Sequence, residues 1–407
     1  MKPDQHRGGA VPLASRTSRL RSSAIGSVLR LAEAPGIIPL AAGSPAREMF
    51  PNADVQEVTS RLLRDDPDAL QYGDTAGLAD LREWIVSRNA TRLGITGRPE
   101  HVTLTHGSQQ ALDLICKTLI DPGDVIVVDR PSYIGALQVF RLFEADLVPV
   151  PLADDPQLGE LSAALQDGLR PRFLYVVSNF ANPTGATLSL VQRQRLAELA
   201  DHYGFFLVED DPYGELRYDA HDGDPLPALA SLSDRVLRLE SFSKVLFPAA
   251  RLGHVTAPAE LAPVIGMFKQ ASDLGNSGFI ERAVLELVTR PGFADARIEA
   301  ARSLYAQRRD ALVAGLRRYF GDSLDFDVPG GGFFVWARFT GATNAEDLLT
   351  GALTHRVSYV PGTDFYAADP DRGTLRLSFS GVGPDELTEA AHRLHQAWAA
   401  GQGGAAG

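Results

Sequence analysis

The chain has 407 residues, 44% of them hydrophobic and 22% charged, a globular balance in a length that exceeds what one hydrophobic core usually serves. Its formal net charge is −12 with no run of lysines and arginines, which argues against a nucleic-acid surface, since phosphate contacts need clustered positive charge. The single cysteine, Cys116, leaves no internal disulfide and no cysteine-rich metal site, and its apolar helical setting reads as a buried, inert thiol.

Residues 1–16 are polar and punctuated by Gly and Pro, the composition of a flexible arm. No apolar h-region follows the basic start and no apolar run is long enough for a membrane span, so a cytoplasmic protein with no membrane partner is expected. Residues 17–50 read as an N-terminal segment joining a small domain, and 51–295 as a large domain. Within the latter, Thr105-His106-Gly107-Ser108-Gln109-Gln110 is a strand-to-helix junction. A glycine there, with a helix N-terminus behind it, offers free backbone N–H groups to an anion. The helix itself is expected over Ser108–Leu119, with Ala111, Leu112, Ile115 and Leu119 on one face.

Four runs read as buried strands with polar ends: Val125–Arg130, Phe173–Asn179, Phe205–Asp211 and Val236–Ser243. Continuous apolar strands with helices between them predict an α/β fold, a mostly parallel central sheet covered on both faces. One covering helix is expected over Leu188–Tyr203, with Thr187 as its cap. From about Ala300 the character changes to a long helix (Ala301–Tyr319), the run FDVPGGGFFVWARF, a helical stretch and LRLSFSGV, which predicts a smaller α+β domain over 296–400. Residues 401–407, GQGGAAG, have nothing to pack and read as a flexible tail.

Candidate functional residues cluster at the strand ends, where open α/β sheets bind ligands. Asn182-Pro183-Thr184-Gly185 follows one strand, Glu209-Asp210-Asp211-Pro212-Tyr213 another, and Ser241-Phe242-Ser243-Lys244, with Arg251 seven further on, a third. Each has an ordinary reading alone: an Asn-Pro turn, a capped loop or divalent-metal site, a surface lysine. The metal reading is the weaker one at Glu209–Asp211, because no second carboxylate pair or histidine cluster stands at useful spacing. Gly330-Gly331-Gly332 lacks a nucleotide-loop spacing and reads as a close backbone approach near the site. His202 and His254 read as structural.

In combination and order these segments resemble the fold-type I pyridoxal-phosphate (PLP) enzymes of the class I/II aminotransferase superfamily. SNFANPTG, EDDPYGELRY, SFSK…ARLG and GGGFFVW are similar to the subgroup of 2-aminoadipate and kynurenine aminotransferases, which includes the effector domains of MocR-type regulators. The likeness runs from about Arg19 to His395. It implies PLP as cofactor, held as a Schiff base on Lys244, which then serves as general acid and base. It implies that Asp210 pairs with the pyridinium nitrogen and keeps the ring a good electron sink. Asn182 and Tyr213 are implied to hydrogen-bond the ring hydroxylate, and Tyr133 to stack on the ring. Ser108, Gln109, Ser241, Ser243 and Arg251 are implied at the phosphate, with Tyr72 reaching the phosphate of the other subunit of a homodimer. Arg376 is implied to grip the substrate α-carboxylate, beside Asn182 and Gly43, with Arg19 near a distal substrate group. One departure stands out: in LAAGSP, Ala42 replaces the first of two adjacent glycines usual in the subgroup, so side-chain preference is expected to differ.

The expected function is an aminotransferase acting between an L-amino acid and a 2-oxo acid, with 2-oxoglutarate as one partner. The same constellation also serves β-lyases, decarboxylases and oxygen-dependent amino-acid hydroxylases. A MocR-like ligand sensor is the remote alternative, since it needs a helix-turn-helix domain ahead of the PLP domain and only a short arm precedes the likeness here.

Overall fold

The computed structural model describes residues 13–14, 16–17, 35–218 and 226–404. Arg19, the tail residues 405–407 and most of the arm over 1–16 lie outside them. The described chain opens with a short strand, β1 (Ile38–Pro39), and two helices, α1 (Asn52–Asp65) and α2 (Ala79–Leu93). There follow β2 (Val102–Thr105), α3 (Ser108–Leu119), β3 (Val125–Asp129), α4 (Ile134–Leu142), β4 (Asp146–Val150), α5 (Gly159–Gln166), β5 (Phe173–Val176), α6 (Leu190–Tyr203) and β6 (Phe206–Asp210). The large domain closes with β7 (Val236–Ser241), β8 (Gly253–Thr256), α7 (Ala262–Asp273) and α8 (Gly278–Val288).

Seven of these strands form one sheet in the order β2-β8-β7-β6-β5-β3-β4. β8 runs antiparallel to both neighbours and the other pairings are parallel. Side chains alternate across such a sheet with period two. Ile126, Val128, Tyr175 and Val208 therefore pack into one core, while Val127, Leu174, Val176 and Leu207 pack into another on the opposite face. Both faces are covered, which is why these strands read as unbroken apolar runs. The C-terminal ends of β2, β3, β5, β6 and β7 all meet one edge of the sheet.

A 28-residue helix, α9 (Phe293–Phe320), then leads into β9 (Leu324–Phe326), β10 (Phe334–Phe339), α10 (Ala345–Thr354), β11 (Val357–Ser358), β12 (Val360–Pro361), β13 (Thr374–Ser378) and α11 (Pro384–Gly404). The second sheet is antiparallel in the order β12-β13-β10-β9, and β1 pairs in parallel with β11. α9 and α11 pack against this sheet through Leu312, Leu316, Leu387 and Leu394.

Several element boundaries differ from the sequence reading: the strands are shorter, β5 ending at Val176 and β7 at Ser241 rather than Asn179 and Ser243, and three helix ends move. α6 starts at Leu190 and is capped by Ser189, not Thr187. Ser189 and Gln192 satisfy each other's backbone N–H in a capping box, whereas the Thr187 hydroxyl accepts from the Phe180 amide (3.1 Å). α9 starts at Phe293, after Gly292 in the left-handed region, so position 296 falls inside a continuous helix. α11 continues to Gly404, past the expected boundary at 401.

Candidate active site

β6 ends in three successive carboxylates, and the alternation of the strand separates them. Glu209 and Asp211 turn to the buried Arg238 guanidinium, at 2.8 and 2.6 Å. Burial works against the Glu209 charge, yet Arg238 and Arg193 hold its pKa below the usual carboxylate value. Asp210 faces the other way, toward α3. It is 2% exposed; Oδ2 accepts from the Tyr175 hydroxyl at 3.0 Å and Oδ1 is buried without a partner. Burial lifts its pKa to about 6, against the pull of the Tyr175 and Ser108 hydroxyls. The divalent-metal reading of this acidic run fails here, because two of the three carboxylates are committed to arginine.

Lys244 follows the end of β7. Its Nζ donates to the Gly43 carbonyl at 3.0 Å and lies over the rings of Phe333 (5.5 Å) and Tyr213 (5.8 Å). Burial, with the positive charges of Arg376 and Arg251, lowers its pKa to about 8, although Asp210 opposes the shift. At that value roughly one amine in ten is neutral at pH 7, against well under one in a thousand for an ordinary lysine. Gly43 is tightly placed, since a Cβ added to it would meet the Phe334 ring at 2.5 Å.

Between β2 and α3 the chain passes through Gly107 at φ 74° and ψ 177°, a conformation open essentially to glycine alone. Arg251 reaches over this turn, its Nη2 donating to the His106 carbonyl at 3.1 Å. A Cβ on Gly107 would stand 3.1 Å from that nitrogen. Ser108 opens α3, so its first-turn N–H groups face the same space. The Gln109 side chain donates instead to the Gly135 carbonyl at 3.0 Å, leaving its backbone N–H for a ligand. Ser241 Oγ accepts from the Ser243 amide at 3.1 Å, which folds the two hydroxyls into one tight turn before Lys244.

Arg376, on β13, comes from the second domain to the same place. Nη1 donates to Asn182 Oδ1 and Nη2 to the Ala41 carbonyl, both at 2.8 Å, while Nε is buried without a partner. Its guanidinium stacks 4.2 Å from the Phe334 ring centre and 5.1 Å from that of Phe365. Burial lowers its pKa to about 10, still well charged at neutral pH. With Asn182 Oδ1 occupied, the amide NH2 of Asn182 is the part free to donate. Tyr133 caps α4 and packs its ring against Gly135, and burial raises the phenol pKa of both Tyr133 and Tyr213. Tyr72 stands apart at 88% exposed.

The residues fit a phosphorylated pyridine. A glycine turn and helix N-terminus beside an arginine suit a phosphate. A buried carboxylate with one unpartnered oxygen suits a protonated ring nitrogen, and a half-buried amine of lowered pKa suits a carbonyl. Four residues escape the sequence reading. Tyr175, the hydroxyl donor to Asp210, is hidden in an apolar strand, where its hydroxyl is the one polar signal. Ala41 acts through its carbonyl, which no side-chain pattern can flag. Phe333 and Phe334 sit in the GGGFFVW segment, whose glycines approach the 213–218 segment through a bridge between Gly331 and Arg217.

The sequence model of the family described as aminotransferase class I and II matches residues 35–394. Aromatic-amino-acid aminotransferase 1 of Thermococcus litoralis is 36% identical over 381 residues, covering 92% of this chain and 91% of that one. The 2-aminoadipate transaminase of Thermus thermophilus is 37% identical over 386 residues, covering 93% and 94%. The crystal structure of an alpha-aminoadipate aminotransferase from Thermus thermophilus, complexed with N-(5'-phosphopyridoxyl)-L-leucine, superposes with a TM-score of 0.87 at 35% identity over 95% of this chain and 96% of that one.

Proposed function

The chain belongs to the class I and II aminotransferases, and we propose that it moves an amino group between an L-amino acid and a 2-oxo acid, 2-oxoglutarate among them, on the residues gathered around Lys244. The observation that carries this is the buried, unpartnered Oδ1 of Asp210, whose charge is felt by the Lys244 amine of lowered pKa. When bound, pyridoxal phosphate supplies a ring that takes up the electron pair left on the substrate Cα.

The chain's residues do the rest. Lys244 would hold the cofactor through Nζ and, once displaced by substrate, take and return the Cα proton. An amine with a pKa of about 8 suits both directions near neutral pH. Asp210 would keep the ring nitrogen protonated, and a neighbouring positive charge would in turn bring its own pKa back down. Asn182 and Tyr213 would donate to the ring oxygen, and Tyr133 would lie on the ring face. The Gly107–Gln109 turn, Ser241, Ser243 and Arg251 would hold the phosphate. Arg376, oriented by Asn182 and Ala41, would grip the α-carboxylate in a fixed plane. Tyr72 would serve the phosphate of a second copy in a homodimer, a role its exposure supports.

The test is a visible spectrum of the purified protein with the cofactor, followed by amino acids added singly without a keto acid. Aromatic amino acids and 2-aminoadipate head the panel, because the relatives named for them are similar along nearly the whole chain. A yellow protein that bleaches with a donor and recovers its colour with 2-oxoglutarate supports transamination. A colour that changes without recovery, or with oxygen consumption, points to a lyase, decarboxylase or hydroxylase. A Lys244→Ala protein that keeps the wild-type band sinks the assignment of Lys244.

A further inference from the structure

Behind the β6 and β7 strand ends, on the side away from Lys244, lies a second cavity of about 630 Å3. That volume is in the range of small-molecule sites. Its walls come from two helices that present one face each. Trp84, Arg88 and Arg92 recur every fourth residue along α2, and Ala294, Ile298, Arg302 and Ala306 do so along α9. Its floor is polar: Asp211, Arg238, Glu240, Asn89 and His254, with Ser241 and Phe242 beside them. A shallower recess shares Trp84, Arg88, Arg92 and Arg302 and opens the cavity to solvent between the helices.

The charged side chains of the floor are already paired with one another. Arg238 Nη2 lies 2.6 Å from Asp211 and 3.3 Å from Glu240, and Glu240 accepts from Asn89 at 2.7 Å. At the mouth, Glu215 takes up Arg88 and Arg92, at 2.7 and 3.1 Å. Arg302 differs. Its Nε donates to the Glu215 carbonyl (2.8 Å), and Nη1 meets Glu299, itself 71% exposed, only at 3.7 Å. Donors on that guanidinium remain for an incoming anion. Asp295 joins Glu215 at the mouth, 3.4 Å from both Arg88 and Arg92, so among the described lining residues five arginines face five carboxylates and the place for an anion is set by the open donors of Arg302 rather than by net charge. Between the charged mouth and the polar floor the lining is apolar and aromatic, from Trp84, Ile85, Phe242, Leu246, Val288 and Ile298.

We infer that this cavity is a second ligand site, distinct from the cleft at Lys244, for a small aromatic carboxylate. The carboxylate meets Arg302 at the mouth, and the flat apolar body lies between α2 and α9. An apolar body gains there by leaving water for apolar walls. The site is positioned to act on the first one: Asp211 follows Asp210, and Ser241 stands three residues before Lys244. A ligand seated on these segments shares their backbone with the cleft. The inference rests on the cavity alone and is independent of the cofactor reading.

Indole-3-acetate is a suitable probe, because it has no amine to transfer. Titrated calorimetrically into the holoenzyme, it is expected to bind at a site that Arg302→Gln weakens at least tenfold, that Ala306→Trp fills, and that Arg376→Lys leaves unchanged. Uncharged indole is expected to bind at least tenfold more weakly than the acid. Absence of binding at millimolar probe overturns the inference. So does binding that Arg376→Lys abolishes while Arg302→Gln preserves it, since the probe is then in the cleft. If Ala306→Trp fails to fold, the comparison of Arg302→Gln with Arg376→Lys decides alone.

Discussion

Asp210 differs from Glu209 and Asp211 only in which way its strand turns it, and that direction sets its chemistry. Its neighbours face Arg238, whereas Asp210 faces two hydroxyls and keeps its own Oδ1 unpartnered, so burial dominates and its pKa rises to about 6. Tyr175 is the testable part of this arrangement. Its hydroxyl favours the charged carboxylate, so Tyr175→Phe removes a stabiliser of the ionised form and raises the Asp210 pKa further. A hydrogen bond to a charged group is worth about 1.5–3 kcal/mol, and 1.36 kcal/mol is one pKa unit, so a shift of about one unit or more is expected. The ring nitrogen lowers the starting value in the holoenzyme, but an acid limb of the kcat/KM profile set by Asp210 should still move to higher pH in Tyr175→Phe, with the plateau much less changed. A limb that stays in place would show that Asp210 does not govern it. Lys244, Asn182 and Arg376 were singled out by the combination and order of their segments. Tyr175 and Ala41 were not, because one looks like core and the other works through its backbone.

Elements show the same division between local and tertiary signals. Ser108–Leu119 was readable to both ends, since the Gly107 turn and the apolar face lie within one short window. The same turn yields a sharp prediction. Gly107→Ala places a methyl group in a backbone region that only glycine adopts easily, and 3.1 Å from Arg251 Nη2. Cofactor retention should fall at least tenfold, measured by equilibrium dialysis, for a stability loss of about 1–3 kcal/mol. Wild-type retention would mean that the turn does not hold the phosphate. The α6 start is ambiguous in the sequence because Thr187 and Ser189 are both competent caps, and only the folded chain commits Thr187 to Phe180. Ser189→Ala should therefore cost about 1 kcal/mol in urea unfolding, and Thr187→Ala should leave the α6 cap bonds in place. The α9 start is hidden because nothing between Phe293 and Ala301 breaks the helix, while the change in character that marks the new domain comes later.

At the scale of the whole molecule, the mostly parallel sheet and smaller α+β layer followed from the alternation of apolar runs and amphipathic stretches. The convergence of Arg376 with Asn182 did not, since 194 residues separate them and only the packing of the second sheet on the first brings them to 2.8 Å. In the proposed homodimer, Tyr72 would extend that logic to a second copy of the chain. At 88% exposed, beside Leu70 at 77%, its ring is open to a partner subunit. A pairing test separates the two possibilities. If Tyr72 serves the partner's site, a Tyr72→Ala subunit paired with a Lys244→Ala subunit holds one site with both defects and one with neither. Refolding an equal mixture of these two inactive or weakened proteins should then recover about a quarter of wild-type activity, because half the dimers are mixed and each has one intact site of two. If Tyr72 acts within its own subunit, every site in the mixture carries one defect and activity stays at the mean of the parents. The two outcomes differ most when Tyr72→Ala alone is severely impaired.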